Sequence, residues 1–160
     1  MGVTCPIISN EASTTPQSAT FSRSTLFNLP AETIVRQELR GAEYVTLNTF
    51  NVAFTGSGRI RYLAGRGGDL LFVNGTQPNV IAELIGNAAA RDVFGVGFGA
   101  NTNDILGSVV AVGHAANGDF AYYYDYLNSR SQDYTVSDVL GYLSVSRPGI
   151  APVYYQGLAG

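Results

Sequence analysis

From residue 44 onward this sequence is a chain of short runs rich in β-branched and aromatic residues, each closed by glycine or asparagine. That texture fits pleated, half-buried strands and leaves little room for long helices. Tyr44 to Phe54 is the longest such run, and Thr55-Gly56-Ser57-Gly58 turns it. Arg59 to Leu63 alternates cleanly, with Arg59 and Arg61 on one face. Arg66 to Asp69 turns the chain again before the apolar run Leu70 to Val73. These three strands with two Gly-rich turns predict a meander. Val93 to Gly99 alternates large residues with glycine, a mark of a bulge or close backbone approach. Ile105 to Val112 and Phe120 to Leu127 are two further strands, and Asn117-Gly118 between them is a hairpin signal.

Two stretches depart from this texture. Ile34, Val35 and Leu39 after Pro30 predict a short helix, stopped at Gly41. Ile81, Leu84, Ile85, Ala88 and Ala89 fall at helical spacing behind Asn79 as N-cap, so an amphipathic helix is expected over 80–91. Residues 134–145 read as a short helix or a final strand, and the tail beyond them as irregular. Residues 1–30 are rich in Ser and Thr, carry Pro6, Pro16 and Pro30, and read as an extended N-terminal arm. Residues 31–160 form the globular domain. No fixed-period repeat is visible, which argues against a solenoid or propeller. The expected fold is mainly β: a single β-sandwich, jelly-roll-like or barrel domain with one or two short helices and extended ends.

Composition narrows the function. All nine basic residues are arginine, and only 13% of the chain is charged, against about 25% in an ordinary domain. Codon bias accounts for arginine over lysine but not for the low total. Gly, Asn, Ser, Thr, Ala and Tyr must then cover much of the outside, as on a protein that touches others over much of its area. A net charge of −3 and a pI near 4.9 argue against a nucleic-acid partner. No apolar run approaches the roughly 18 residues of a membrane span, and no secretory signal is recognisable. Cys5 is the one cysteine, so neither an internal disulfide nor a Cys-rich zinc site is expected.

Candidate chemistry is sparse. No lysine exists for a Walker motif, and the Gly-rich segments read as turns. His114 is the one histidine and stands without a nucleophile motif, so it and Cys5 are expected to be dispensable. Asp119 and Asp125 share a face by strand parity, but about 20 Å of strand separates them, too far for paired carboxylate catalysis. Asn101 to Asp104 supplies oxygen ligands with a single carboxylate, and Asx turns have the same composition. No cofactor, metal or catalytic residue is assigned, and the chain is not expected to be an enzyme.

Tyrosine is the anomaly. Eight of the ten tyrosines lie from Tyr122 onward. Parity sends Tyr122, Tyr124 and Tyr126 to one face and Tyr123 with Asp125 to the other, nearer the rim. Together with Tyr154, Tyr155, Phe21 and Phe27 these three are the candidate interface residues. The resulting expectation is a structural subunit of a large assembly, a virion protein of the capsid decoration or minor capsid kind. Its partners would be itself, as a homo-oligomer, and other shell subunits. The alternative is a β-sandwich carbohydrate- or receptor-binding module with a glycan over Tyr122 to Tyr126 and the Asn101 to Asp104 loop.

Overall fold

The computed structural model describes residues 5–98 and 102–159. The protein is mainly β, in two mixed sheets with no closed barrel. Among the described residues the chain lays down thirteen strands. They are β1 (Ile7–Ser9), β2 (Gln17–Leu26), β3 (Leu29–Arg40), β4 (Glu43–Ala53), β5 (Gly58–Leu63), β6 (Leu70–Val73) and β7 (Val80–Ile85). There follow β8 (Val93–Val96), β9 (Val109–Val112), β10 (Phe120–Tyr123), β11 (Thr135–Val139), β12 (Tyr142–Ser146) and β13 (Val153–Gln156). Sheet A has the order β1-β5-β7-β9-β13-β12-β11, and sheet B the order β10-β8-β6-β2-β3-β4.

The order reveals a winding. β1 lies in sheet A and β2 in sheet B; β5 and β6, β7 and β8, and β9 and β10 repeat that step. Each strand lies parallel to its counterpart one turn earlier. The β3–β4 hairpin is inserted after the first turn, and the β11–β12 hairpin before the last sheet A strand, β13. The expected absence of a solenoid-like winding is therefore overturned. Its period escapes detection because the turns differ in length: Gly58 sits beside Val80 and Ala82 beside Val109, steps of 22 and 27 residues. The meander is also corrected, since β5 lies in a different sheet from β4 and β6. So is the hairpin at Asn117-Gly118, a short 3₁₀ turn that carries the chain from sheet A to sheet B.

Strand alternation builds the interior. Ile60, Tyr62, Ala82, Leu84, Val109 and Ala111 from sheet A meet Ala19, Phe21, Ile34, Leu71, Phe94 and Val96 from sheet B in one buried cluster. The Phe21 and Tyr62 rings meet edge to face at 6.2 Å. The expected helix at 80–91 is instead β7 followed by a corner. Val80, Ala82 and Leu84 point inward while Ile81, Glu83 and Ile85 point outward. A run so apolar satisfies both periods, and pairing with β5 and β9 decides for the strand. The helix expected after Pro30 is β3, paired along its length with β2 and β4. The irregular tail contains β13, held between β9 and β12.

Of the expected arm, the described residues 5–30 are extended but do not stand apart from the fold. β2 is an interior strand of sheet B, with Ala19 and Phe21 fully buried. Deleting residues 1–20 removes β1 and the first four of the ten residues of β2. The expected result is loss of cooperative thermal unfolding, checked by calorimetry, rather than a shift of a few degrees.

A ladder of aspartates locks one corner of the winding. Asp69, Asp92 and Asp119, all fully buried, directly precede β6, β8 and β10. Asp69 accepts the Gln17 N–H (2.9 Å), Asp92 the Asp69 N–H (2.6 Å) and Asp119 the Asp92 N–H (2.8 Å). The second oxygen of each accepts an N–H from its own turn: Gly65 at 2.8 Å, Asn87 at 2.6 Å and His114 at 2.7 Å. The carboxylates thus do in the corners what strand pairing does in the sheets.

Candidate contact surface

The outer face of sheet B is the most unusual surface of the molecule. By alternation its outward positions are Phe120 and Tyr122 on β10, Val93 and Gly95 on β8, and Leu70 and Phe72 on β6. It continues with Ser18, Thr20 and Ser22 on β2, Thr33, Val35 and Gln37 on β3, and Thr49 and Asn51 on β4. None of these is charged. The outer face of sheet A differs, with Arg61 paired to Glu83 at 2.7 Å and Arg59 to the same carboxylate at 3.8 Å.

One end of the uncharged face is aromatic. The Phe72 and Phe98 rings stack at 4.7 Å, and Phe98 meets Tyr124 edge-on at 5.2 Å. Tyr124 contacts Tyr122 at 5.5 Å and Tyr126 at 6.3 Å, and Tyr122 meets Phe120 at 4.9 Å. The Arg91 guanidinium lies 4.2 Å from the centroid of the Phe120 ring. Gly95 makes room for this strip, because a Cβ there would strike the Phe72 ring. Phe98, Tyr122 and Tyr126 remain 45%, 46% and 67% exposed.

A polar cluster fixes the loop that carries Tyr124 and Tyr126. The Arg147 Nε lies 3.3 Å from Asp125 Oδ2, and Thr102 donates its hydroxyl to Asp125 Oδ1 at 2.9 Å. The Tyr134 hydroxyl donates to the same carboxylate. Burial works to raise the Asp125 pKa, but the hydrogen bonds from Tyr134 and Thr102 and the Arg147 charge hold it below the ordinary carboxylate value. Burial, with the Asp125 hydrogen bond second, pushes the Tyr134 phenol up to about 12.

Of the candidate interface residues, Tyr122, Tyr124 and Tyr126 come together on this face. Phe27 stands elsewhere, 88% exposed at the tip of the β2–β3 hairpin with a φ of 51°. Tyr154 points outward from sheet A against Tyr142. Phe21 and Tyr155 are corrected: both are buried in the core cluster rather than standing on the outer surface. Tyr123 is likewise not at the rim; it packs inward against the core. Asp119 belongs to the corner ladder and Asp125 to the Arg147 cluster, so the two carboxylates serve different parts of the fold. Asn101 lies outside the described residues, and Asp104 is paired with Arg23 at 2.8 Å. Phe72, Phe98 and Phe120 escaped sequence reasoning. A signal existed: Asp-Leu-Leu-Phe-Val, Asp-Val-Phe-Gly-Val and Asp-Phe-Ala-Tyr-Tyr are three rungs of one ladder at 69–73, 92–96 and 119–123.

No protein-family model, curated protein or solved structure matches this chain. No helix among the described residues is long and apolar enough to cross a membrane.

Proposed function

We propose that this chain is a non-enzymatic structural subunit of a multi-subunit shell, of the kind that builds a virion. The carrying observation is the outer face of sheet B, whose outward strand positions bear no charged residue, with its open aromatic strip. Tyrosine and phenylalanine anchors beside short polar side chains match the composition of protein contact surfaces. A monomer in water gains nothing from leaving such a strip uncovered. The protein's low overall charge points the same way.

The test is Tyr122→Lys with Tyr126→Lys. Both side chains are exposed, so monomer stability is expected to change by less than about 1 kcal/mol. The concentration for half-assembly, read by sedimentation velocity, rises at least tenfold, about 1.4 kcal/mol. Unchanged assembly of the double variant overturns this reading. The exposed ring faces also favour a second one, glycan binding. A monomeric wild type that binds a glycan array and loses binding in the double variant establishes that reading instead.

A further inference from the structure

The two sheets are out of step. Past β9 and β10, the last complete turn, sheet A continues with β13, β12 and β11. Past β1 and β2, the first turn, sheet B continues at the other end with β3 and β4. Opposite β13 the vacant layer is already begun by the tail. The Ala159 N–H donates to the Asp119 carbonyl at 2.7 Å, repeating the step by which the Phe120 N–H bonds the Asp92 carbonyl. Opposite β12 and β11 the inward side chains stay open, with Leu143 49% and Val136 60% exposed. A cavity of about 540 Å³ lies under this overhang, lined by Leu143, Val145, Tyr155, Ala121 and Leu158. The Tyr155 hydroxyl is buried without a hydrogen-bond partner.

We propose that the two ends are halves of one interface and that copies of this chain stack head to tail along the winding axis. The β3–β4 hairpin of one copy enters the layer left open opposite β12 and β11 of the next. The inference rests on the assembly reading above and names the partner and the direction of growth.

Width and polarity support it. The vacancy spans two strands, and the sheet B overhang is two strands. β4 is antiparallel to β3, which is antiparallel to β2, so β4 runs in the direction of β10. By the same count β11 runs in the direction of β13 and hence of β1. A copy displaced along the axis therefore continues both sheets with parallel neighbours. The edges are lightly guarded. Seven of the eleven residues of β4 are exposed, as are all five of β11. Each carries a single charge, Glu43 on β4 and Asp138 on β11, and neither has a Lys or Pro to block pairing. Such a contact joins two different surfaces, so it grows an open file or a ring rather than closing as a two-fold dimer.

Val136→Lys blocks one half of the contact and Val45→Lys, on the exposed end of β4, blocks the other. Neither residue is buried, and unfolding curves check that each variant folds. Sedimentation velocity on the full chain is expected to show an open series of oligomers for the wild type and, for either variant alone, only the species joined through the aromatic face. A 1:1 mixture of the two is expected to add one stacked pairing and no open series, because each variant keeps one intact end. Wild-type-like assembly of either variant, or a mixture no larger than the variants alone, overturns the stacking while leaving assembly through the aromatic face standing. A wild type that stays monomeric overturns both.

Discussion

The unfolding free energy of the wild-type chain falls as the pH rises from about 4.5 to about 8, and Glu32→Gln removes most of that fall. Glu32 is fully buried on β3. One carboxyl oxygen accepts the Gln77 N–H, while the other has no partner. Burial is the dominant influence and pushes its pKa from 4.5 up to about 8, against the smaller opposing pull of the Gln77 N–H and the Arg23 charge. Between those two values the folded chain holds a proton that the unfolded chain has released. The unfolded state therefore binds fewer protons there, and stability declines as pH rises. Every tenfold difference in proton affinity between the two states corresponds to about 1.4 kcal/mol, which sets the total at roughly 3–5 kcal/mol. Gln keeps an acceptor for the Gln77 N–H and carries no charge at any pH. Urea titrations at pH 5 and pH 8 check this; parallel profiles for the two proteins would show that Glu32 is not the group responsible. Asp92, pushed up from 3.8 to about 6 chiefly by burial, acts with the same sign over its own narrower window and remains in the variant.

Asp92→Ala is expected to destabilise the fold by about 3–5 kcal/mol. The substitution orphans two backbone donors, Asp69 N–H and Asn87 N–H, each held at 2.6 Å. A buried donor stripped of a charged acceptor costs roughly 1.5–3 kcal/mol. Asp92 is the middle rung, so its loss unpins β6 from β8 at the corner and frees the turn after β7 together. Asp92→Asn keeps one oxygen and turns an amide N–H toward the other donor, so an intermediate loss is expected. Chemical denaturation measures both, and a loss below 1 kcal/mol for Asp92→Ala would show that the ladder is incidental. Loss of the unfolding baseline, with the chain collapsed at neutral pH, is the extreme form of the same outcome.

Much of the local structure is legible in the residues. The strands at 44–54, 59–63 and 70–73, the common face of Arg59 and Arg61, and the close approach at Gly95 all follow from alternation and turn chemistry. So does the shared face of Tyr122, Tyr124 and Tyr126, since parity along one extended segment is a local property. The aromatic strip was legible only in part. Phe72 and Phe98 reach it from other turns, and no local rule says which turn lies beside which.

What the tertiary structure decided is everything that depends on a strand's partner. Ser18 pairs with Leu70 across the whole β3–β4 insertion, and Val109 with Val153 across the β11–β12 insertion. Such pairing draws on hydrogen bonds and burial supplied from far along the chain, so the Ser/Thr-rich segment before Pro30 became an interior strand. The run at 80–85, able to satisfy either period, became a strand because β5 and β9 offered it backbone partners on both sides. Phe21 and Tyr155 look like any exposed aromatic near a chain end until the two sheets close over them. Side-chain pattern sets which residues share a face; only the packing of sheet against sheet decides which face is inside.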